Sequence, residues 1–188
     1  MKRWQQIRGH TNDNECQWLH SQALCRTTIV EIGVYLGRST AALATGMADD
    51  SGRVYGIDTW QGGPAERDKW HPEFVTVEGQ DTYYLEALKN LHGLPVTLIR
   101  APSERAYVLF NNIKIDMLFI DGGHDYNSVF RDIQLYQQYM AEGGLISGHD
   151  YNGNWPDVIR AVNDSFGKKN IQRGPNSIWF KEYEFVTK

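Results

Sequence analysis

Residues 28–40 read Thr28-Ile-Val-Glu31-Ile-Gly33-Val-Tyr35-Leu-Gly37-Arg-Ser39-Thr40. A short β-branched run passes into two glycines and then into residues suited to a helix, which is the sequence of a strand turning sharply into a helix. Glycines at such a turn let the backbone bend tightly and approach a ligand closely. A dinucleotide fingerprint would need a small residue where bulky Tyr35 stands, so a pyrophosphate ligand is disfavoured.

Outward from this turn, further short apolar runs recur at Arg53-Val-Tyr-Gly-Ile57, Val96-Thr-Leu-Ile99, Ile115-Asp-Met-Leu-Phe-Ile120 and Gly144-Leu-Ile-Ser147. They are bounded by Gly, Pro, Asp or Asn, as buried strands are. Between them, Leu85, Leu88 and Leu91 fall at helical spacing. So do Val129, Ile133, Tyr136 and Met140, and again Val158, Val162 and Phe166, and all three stripes are read as core. Strands alternating with helices predict a parallel sheet with crossover helices. Near the end, Ile171-Gln-Arg173 and Ser177-Ile-Trp-Phe180 flank Gly174-Pro-Asn176, a turn that predicts an antiparallel hairpin. The expected fold is α/β, a Rossmann-like doubly wound, mostly parallel seven-stranded sheet in three αβα layers. Residues 1–27 are expected as an N-terminal helical segment and 28–188 as the main unit of one domain. A helix over 11–25, capped by Asn12 or Asp13, would bury Trp18, Leu19, Gln22 and Leu24 and cover the mouth of the site. The long irregular stretch runs from Thr59 to Gly79.

The 188 residues are 41% apolar and 22% charged, enough for one hydrophobic core. A net charge of -4 and pI near 5.8 offer no broad positive field, which argues against nucleic acid or an anionic membrane as partner. Cys16 and Cys25 sit at no metal-binding spacing and read as free thiols. The first residues carry no apolar run after their charges, and no stretch is long enough to span a bilayer, so a cytoplasmic protein is expected. Homo-oligomerisation stays open.

S-adenosylmethionine has no phosphate; it presents an ammonium, a carboxylate, a ribose diol and an adenine, which call for acceptors and amides. Glu31 and Asp58 supply acceptors, and Asp58, ending its strand, is placed to take both ribose hydroxyl protons. Ser103 and Glu104 follow the third strand, beside the expected adenine, where Ser103 could equally cap the next helix. Candidate donor-binding residues are therefore Glu31, Gly33, Tyr35, Gly37, Ser39 and Thr40 of the first turn, with Asp58, Ser103 and Asp121.

The segments Val30 to Thr40, Ile120-Asp-Gly-Gly-His-Asp-Tyr126, Gly143-Gly-Leu-Ile-Ser-Gly-His-Asp-Tyr151 and Val158-Ile-Arg-Ala-Val162 resemble the class I methyltransferase family that includes macrolide sugar O-methyltransferases. The likeness spans roughly residues 28 to 166. It implies a Rossmann-like sheet, S-adenosylmethionine as cofactor, and often a divalent metal, magnesium or another, near an acceptor hydroxyl. In the resembling enzymes carboxylates after the fourth and fifth strands bind magnesium, and a histidine three residues past the first carboxylate takes the proton. Asp121, Asp150 and His124 match those positions. His149 stands where an acidic residue is usual, and imidazole suits transition metals better than magnesium. The resemblance thus implies Asp121, His149 and Asp150 as metal ligands and His124, Asp121 and His149 as catalytic groups. Asp125 is expected to cap the following helix. Trp60, Trp70, His71, Tyr151 and Trp155 are expected to wall a pocket for a small-molecule acceptor, a sugar or natural product. Two other readings stay open: a metal-dependent hydrolase built on Asp121, His124, His149 and Asp150, and a non-catalytic nucleotide-binding module.

Overall fold

The computed structural model describes residues 1–47, 51–62 and 76–184, so Trp70 and His71 lie outside the described residues. Seven strands form one sheet: β1 (Thr28–Ile32), β2 (Arg53–Asp58), β3 (Val96–Arg100), β4 (Ile115–Ile120), β5 (Met140–Gly148), β6 (Gln172–Arg173) and β7 (Trp179–Glu182). Their order is β3-β2-β1-β4-β5-β7-β6. β1 to β5 run parallel, while β7 is antiparallel to β5 and β6 to β7. The chain order reverses between β1 and β4, and at such a switch point the loops leaving the two strands diverge and open a crevice. β5 begins at Met140, earlier than its apolar run suggests. Its pairing with β4 shifts register between Ile115 and Met117, and Gly143 takes a left-handed φ of 71°, so the extra residues bulge out and pairing resumes upstream.

Alternation along the strands feeds two cores. Ile29, Val54, Met117, Phe119 and Leu145 face one side, covered by α1 (Asp13–Ala23), α2 (Arg38–Gly46) and α3 (Val77–Leu91). Val30, Ile32, Ile57, Leu118, Ile120 and Ile146 face the other, covered by α4 (Tyr126–Tyr136) and α5 (Pro156–Phe166). Each such buried aliphatic side chain contributes roughly 1.5–3 kcal/mol. Val129, Ile133, Tyr136, Val158 and Val162 are buried as expected, with Phe166 packed beside them. Asp125 caps α4, its side chain accepting from the Ser128 amide.

Several expectations are corrected. α3 begins at Val77, inside the stretch read as irregular. Its buried face is Tyr83, Ala87 and Leu91, whereas Leu85 and Leu88 are 61% and 42% exposed. The rotation is set by rings rather than leucines: Tyr83 packs on Tyr35 and Tyr84 on Trp60. In α1 the cap is Asn12, in a reciprocal capping box with Glu15. The helix buries Glu15, Cys16, Leu19 and Ala23 and ends before Leu24, which is exposed. Tyr151 belongs to the core, its hydroxyl donating to Asn163, and not to a pocket wall. Cys16 is buried and Cys25 exposed, both as free thiols. Among the described residues no helix is long and apolar enough to cross a membrane.

Candidate active site

The carboxyl ends of β1 to β5 border a cavity of about 610 Å³. Gly33 opens the turn after β1 at φ 93°. A Cβ there would stand 2.0 Å from the Asp121 carbonyl oxygen, so only glycine lets the end of β1 pass the end of β4. Of the donor-side candidates, Gly33, Tyr35, Ser39, Asp58, Ser103 and Asp121 line the cavity. Glu31, Gly37 and Thr40 are not in its wall. Gly37, at φ 88°, instead faces Leu91 of α3, which a Cβ would meet at 2.8 Å.

Glu31 lies beneath the floor, fully buried on the α2 side of β1. The Thr40 hydroxyl donates to its Oε2 at 2.5 Å, while Oε1 has no hydrogen-bond partner among the described residues. Burial pushes its carboxyl up to about 8, against the pull of hydrogen bonds from Ser39 and Thr40 and with the support of the nearby Asp121 and Asp58 charges. Among the described residues this fully desolvated carboxyl has no positive partner.

Asp58 ends β2 facing the turn after β1. Its Oδ2 accepts the Val34 and Tyr35 amides at 2.8 and 2.9 Å, and its Oδ1 the Trp60 amide at 2.7 Å. Asp58 thereby clamps two loops of the cavity it lines, reinforced where the Trp60 indole donates to the Tyr35 carbonyl at 2.8 Å. Tyr35, Trp60 and Asp150 have φ of 52°, 54° and 61°, and all three line the cavity. Such left-handed non-glycine backbone costs of order 1–3 kcal/mol per residue and persists where the surroundings over-determine it.

Ser103 is not the cap of its helical turn, a place Pro102 holds; its hydroxyl donates to Asp132 Oδ1 at 2.6 Å. At the opposite wall the segment before α1, rather than the helix itself, covers the mouth: Gly9, His10 and Thr11 line the cavity. Arg38 pins that segment by donating to the carbonyls of Thr11, Ile7 and Trp4 at 2.7, 2.9 and 3.1 Å, and it pairs with Asp13 at 2.5 Å.

The acceptor-side residues converge. His124 Nε2 lies 2.8 Å from Asp150 Oδ2, and its ring stacks on Trp155 with centroids 3.9 Å apart. His149 Nε2 meets Glu15 Oε1 at 2.9 Å, and Nδ1 stands 3.4 and 3.3 Å from Asp121 and Asp150. Burial alone would lower the His149 pKa. The Asp121 charge and hydrogen bonds to Asp121, Asp150 and Glu15 outweigh that and hold it well above the usual histidine range. Burial likewise works against Asp150, yet the two histidines keep it well below the usual carboxylate range. Both ring nitrogens of His149 are thus directed at carboxylates, Nε2 at Glu15 and Nδ1 at Asp121 and Asp150. The sequence expects His149 beside Asp121 and Asp150 as a metal ligand. The donors that approach one another are instead Asp121, His124 and Asp150, one atom from each lying within 4.8 Å of the others.

The sequence profile of a family described as a methyltransferase domain matches residues 30–151, well over half of the chain. The chain belongs to this methyltransferase family. A TDP-rhamnose 3'-O-methyltransferase of calicheamicin biosynthesis shares the fold with TM-score 0.61 at 17% identity, over 89% of this chain and 77% of that one. The O-methyltransferase TomG of Streptomyces achromogenes, solved with its methyl donor SAM, gives 0.67 at 12% identity over 94% and 82%. An rRNA methylase, so described provisionally, from Clostridium thermocellum gives 0.66 at 17% identity over 94% and 99%. An uncharacterised protein of Acanthamoeba polyphaga mimivirus is 40% identical over 80 residues, 39% of this chain and 36% of that protein. The match thus spans about a third of the length of that curated relative.

Three features of the site escape the sequence patterns: the segment Gly9 to Thr11, Glu15 and Asp132. Glu15 joins the most elements. It accepts from the Asn12 amide at 2.9 Å and from His149, and lies within 3.4 Å of the Ser177 hydroxyl. One buried carboxylate thus joins α1, the end of β5 and the hairpin turn. Burial pushes Glu15 up, but the bond to His149 and its charge hold the carboxyl below its ordinary value. Removing one partner of a buried ion pair strands the other. Glu15→Ala is therefore expected to cost about 3 kcal/mol, read as a lower urea midpoint at unchanged slope; an unaltered midpoint would show that the pair contributes nothing.

Proposed function

We propose that this chain transfers the methyl group of S-adenosylmethionine to a hydroxyl oxygen of a small-molecule acceptor such as a sugar. The observation that carries the reading is one cavity with two ends. One holds the Gly33 turn above a buried carboxyl short of a positive partner, and the other holds a histidine bonded to a carboxylate. The donor ammonium matches the missing charge near Glu31, with Ser39 between floor and ligand. The amides of the β1 turn, set by Asp58, suit the donor carboxylate and ribose. Residues 1–27 act as part of the same unit, since Gly9 to Thr11 close the donor end and Glu15 supports the acceptor end.

Methyl transfer is an in-line displacement, so alignment and removal of the acceptor proton are what the protein supplies. His124 takes that proton while Asp150 orients its ring and stabilises the imidazolium that forms. Trp155, stacked on His124, fixes the ring plane and shields it from water. Asp121 and Asp150 would hold a divalent cation, which when bound would supply charge that lowers the acceptor hydroxyl pKa, with the His124 lone pair left to take the proton. Calorimetry with S-adenosylmethionine and S-adenosylhomocysteine is the test. Micromolar binding of both is expected, and folded protein that binds neither ends the reading.

A further inference from the structure

Asp150, which bonds His124, stands at φ 61°, a left-handed backbone that a residue other than glycine keeps only where its surroundings impose it. Two braces hold it there. Its amide donates to the Ser177 hydroxyl oxygen at 3.4 Å, and its Oδ2 lies 3.3 Å from His149 Nδ1. The same Oδ2 bonds His124 Nε2 at 2.8 Å. Both braces lead back to a single atom, since Glu15 Oε1 meets His149 Nε2 at 2.9 Å and the Ser177 hydroxyl at 3.4 Å. The other oxygen of Glu15 accepts the Asn12 amide at 2.9 Å, so the cap of α1 fixes the carboxylate itself. Capping needs only that oxygen. Glu15 is 2% exposed, and burying a second oxygen is a cost that a partner must offset. Its partners here are two residues that both touch Asp150. His149, Asp150 and His124 line the cavity whereas Glu15 stands behind the wall, so it reaches the site through them.

We propose that Glu15 is a positioning residue for methyl transfer: by fixing the His149 ring and the Ser177 hydroxyl it sets the backbone and carboxylate of Asp150, and through them the ring of His124. This rests on the function proposed above, in which His124 takes the acceptor proton. A misplacement of about 1 Å at reacting groups costs roughly a hundredfold in rate, so a brace that starts on α1 has leverage at the opposite end of the chain of contacts. His149 also stands 3.4 Å from Asp121, which brings the second carboxylate of the edge under the same control.

The test uses the full chain with its histidine rings labelled with 15N, recorded by NMR with and without S-adenosylhomocysteine, whose dissociation constant is taken from calorimetry. The wild type is expected to show a protected ring-proton signal for the His124–Asp150 bond, assigned by its absence in His124→Ala. Glu15→Gln keeps the side-chain length and an oxygen for the Asn12 amide, but turns an amino group toward His149 and Ser177 where they meet an acceptor. Folded Glu15→Gln is expected to lose the His124 signal while the ligand dissociation constant changes less than about threefold. Ser177→Ala cuts the brace on the Asp150 amide and leaves the Glu15–His149 pair. It is expected to weaken and shift the same signal, which decides the matter should Glu15→Gln fail to fold. A His124 signal unchanged in either folded variant, or missing from the wild type, overturns the proposal and leaves the Glu15–His149 pair a structural one. A wild type that does not bind S-adenosylhomocysteine ends the donor reading instead, and the ligand-free spectra still show whether Glu15 sets His124.

Discussion

Glu31→Gln is expected to make the ligand-free protein more stable than wild type at pH 9 while weakening its grip on the methyl donor. The carboxyl titrates near 8 in the folded chain because it is fully buried, against about 4.3 in an unfolded one. Below pH 4 it is protonated in both states and costs nothing. From there to pH 8 the unfolded chain ionises and the folded chain does not, so wild-type stability falls with rising pH. Above pH 8 both states are ionised and the loss is complete. At about 1.4 kcal/mol per pH unit the full loss is on the order of 5 kcal/mol. Glutamine keeps the shape and the Thr40 bond without this titration. The difference between variant and wild type, read as urea stability at pH 5, 7 and 9, should widen steadily across the series. The donor dissociation constant should meanwhile rise about tenfold or more, because glutamine beneath the floor can no longer ionise to balance the ammonium above it. Parallel stability profiles for the two proteins would show that Glu31 is ionised from the start and that the orphaned oxygen has a partner.

This opposition between stability and ligand affinity explains what the sequence does and does not disclose. The sheet was legible because each parallel strand is buried on both faces and must read as a β-branched run, and β1 and β4 keep the expected limits at Thr28–Ile32 and Ile115–Ile120. Loops leaving β1, β4 and β5 must meet at one edge, so Gly33, Asp121, His124 and Asp150 could be placed together before any coordinates. Asp58 was legible in position at the end of β2, but its clamp on the Val34, Tyr35 and Trp60 amides was not, because amides leave no trace in a residue name. Glu15 and Asp132 were hidden for a related reason. Each occupies an apolar-stripe position of a helix, ahead of Leu19 in α1 and between Val129 and Ile133 in α4. An acid at such a position signals a buried partner, and that signal was present in the residues. What periodicity cannot supply is the partner's identity, since His149 lies 134 residues from Glu15 and Ser103 lies 29 from Asp132. The rotation of α3 was misread because leucines outweigh tyrosines on hydropathy, yet the rings of Tyr83 and Tyr84 find flat partners in Tyr35 and Trp60.

His124→Ala is expected to lower kcat by about a hundred- to ten-thousand-fold, the usual contribution of a positioned acid or base, with the S-adenosylhomocysteine dissociation constant changed by less than about threefold. The separation follows from geometry. His124 packs on Trp155 and bonds Asp150, partners different from those that set the β1 turn, whose amides bond Asp58. Its removal therefore takes away proton transfer without touching the donor contacts. At about 1.4 kcal/mol per tenfold, the loss corresponds to roughly 3–5 kcal/mol of transition-state stabilisation. Asp150→Asn should show a smaller fall in kcat, because the amide still orients the ring but no longer stabilises its charged form. A His124→Ala protein that turns over near the wild-type rate would remove the histidine from the chemistry. One that loses donor affinity in step with kcat would make it a wall of the pocket and transfer the proton-accepting role to Asp121, the remaining carboxylate of that edge.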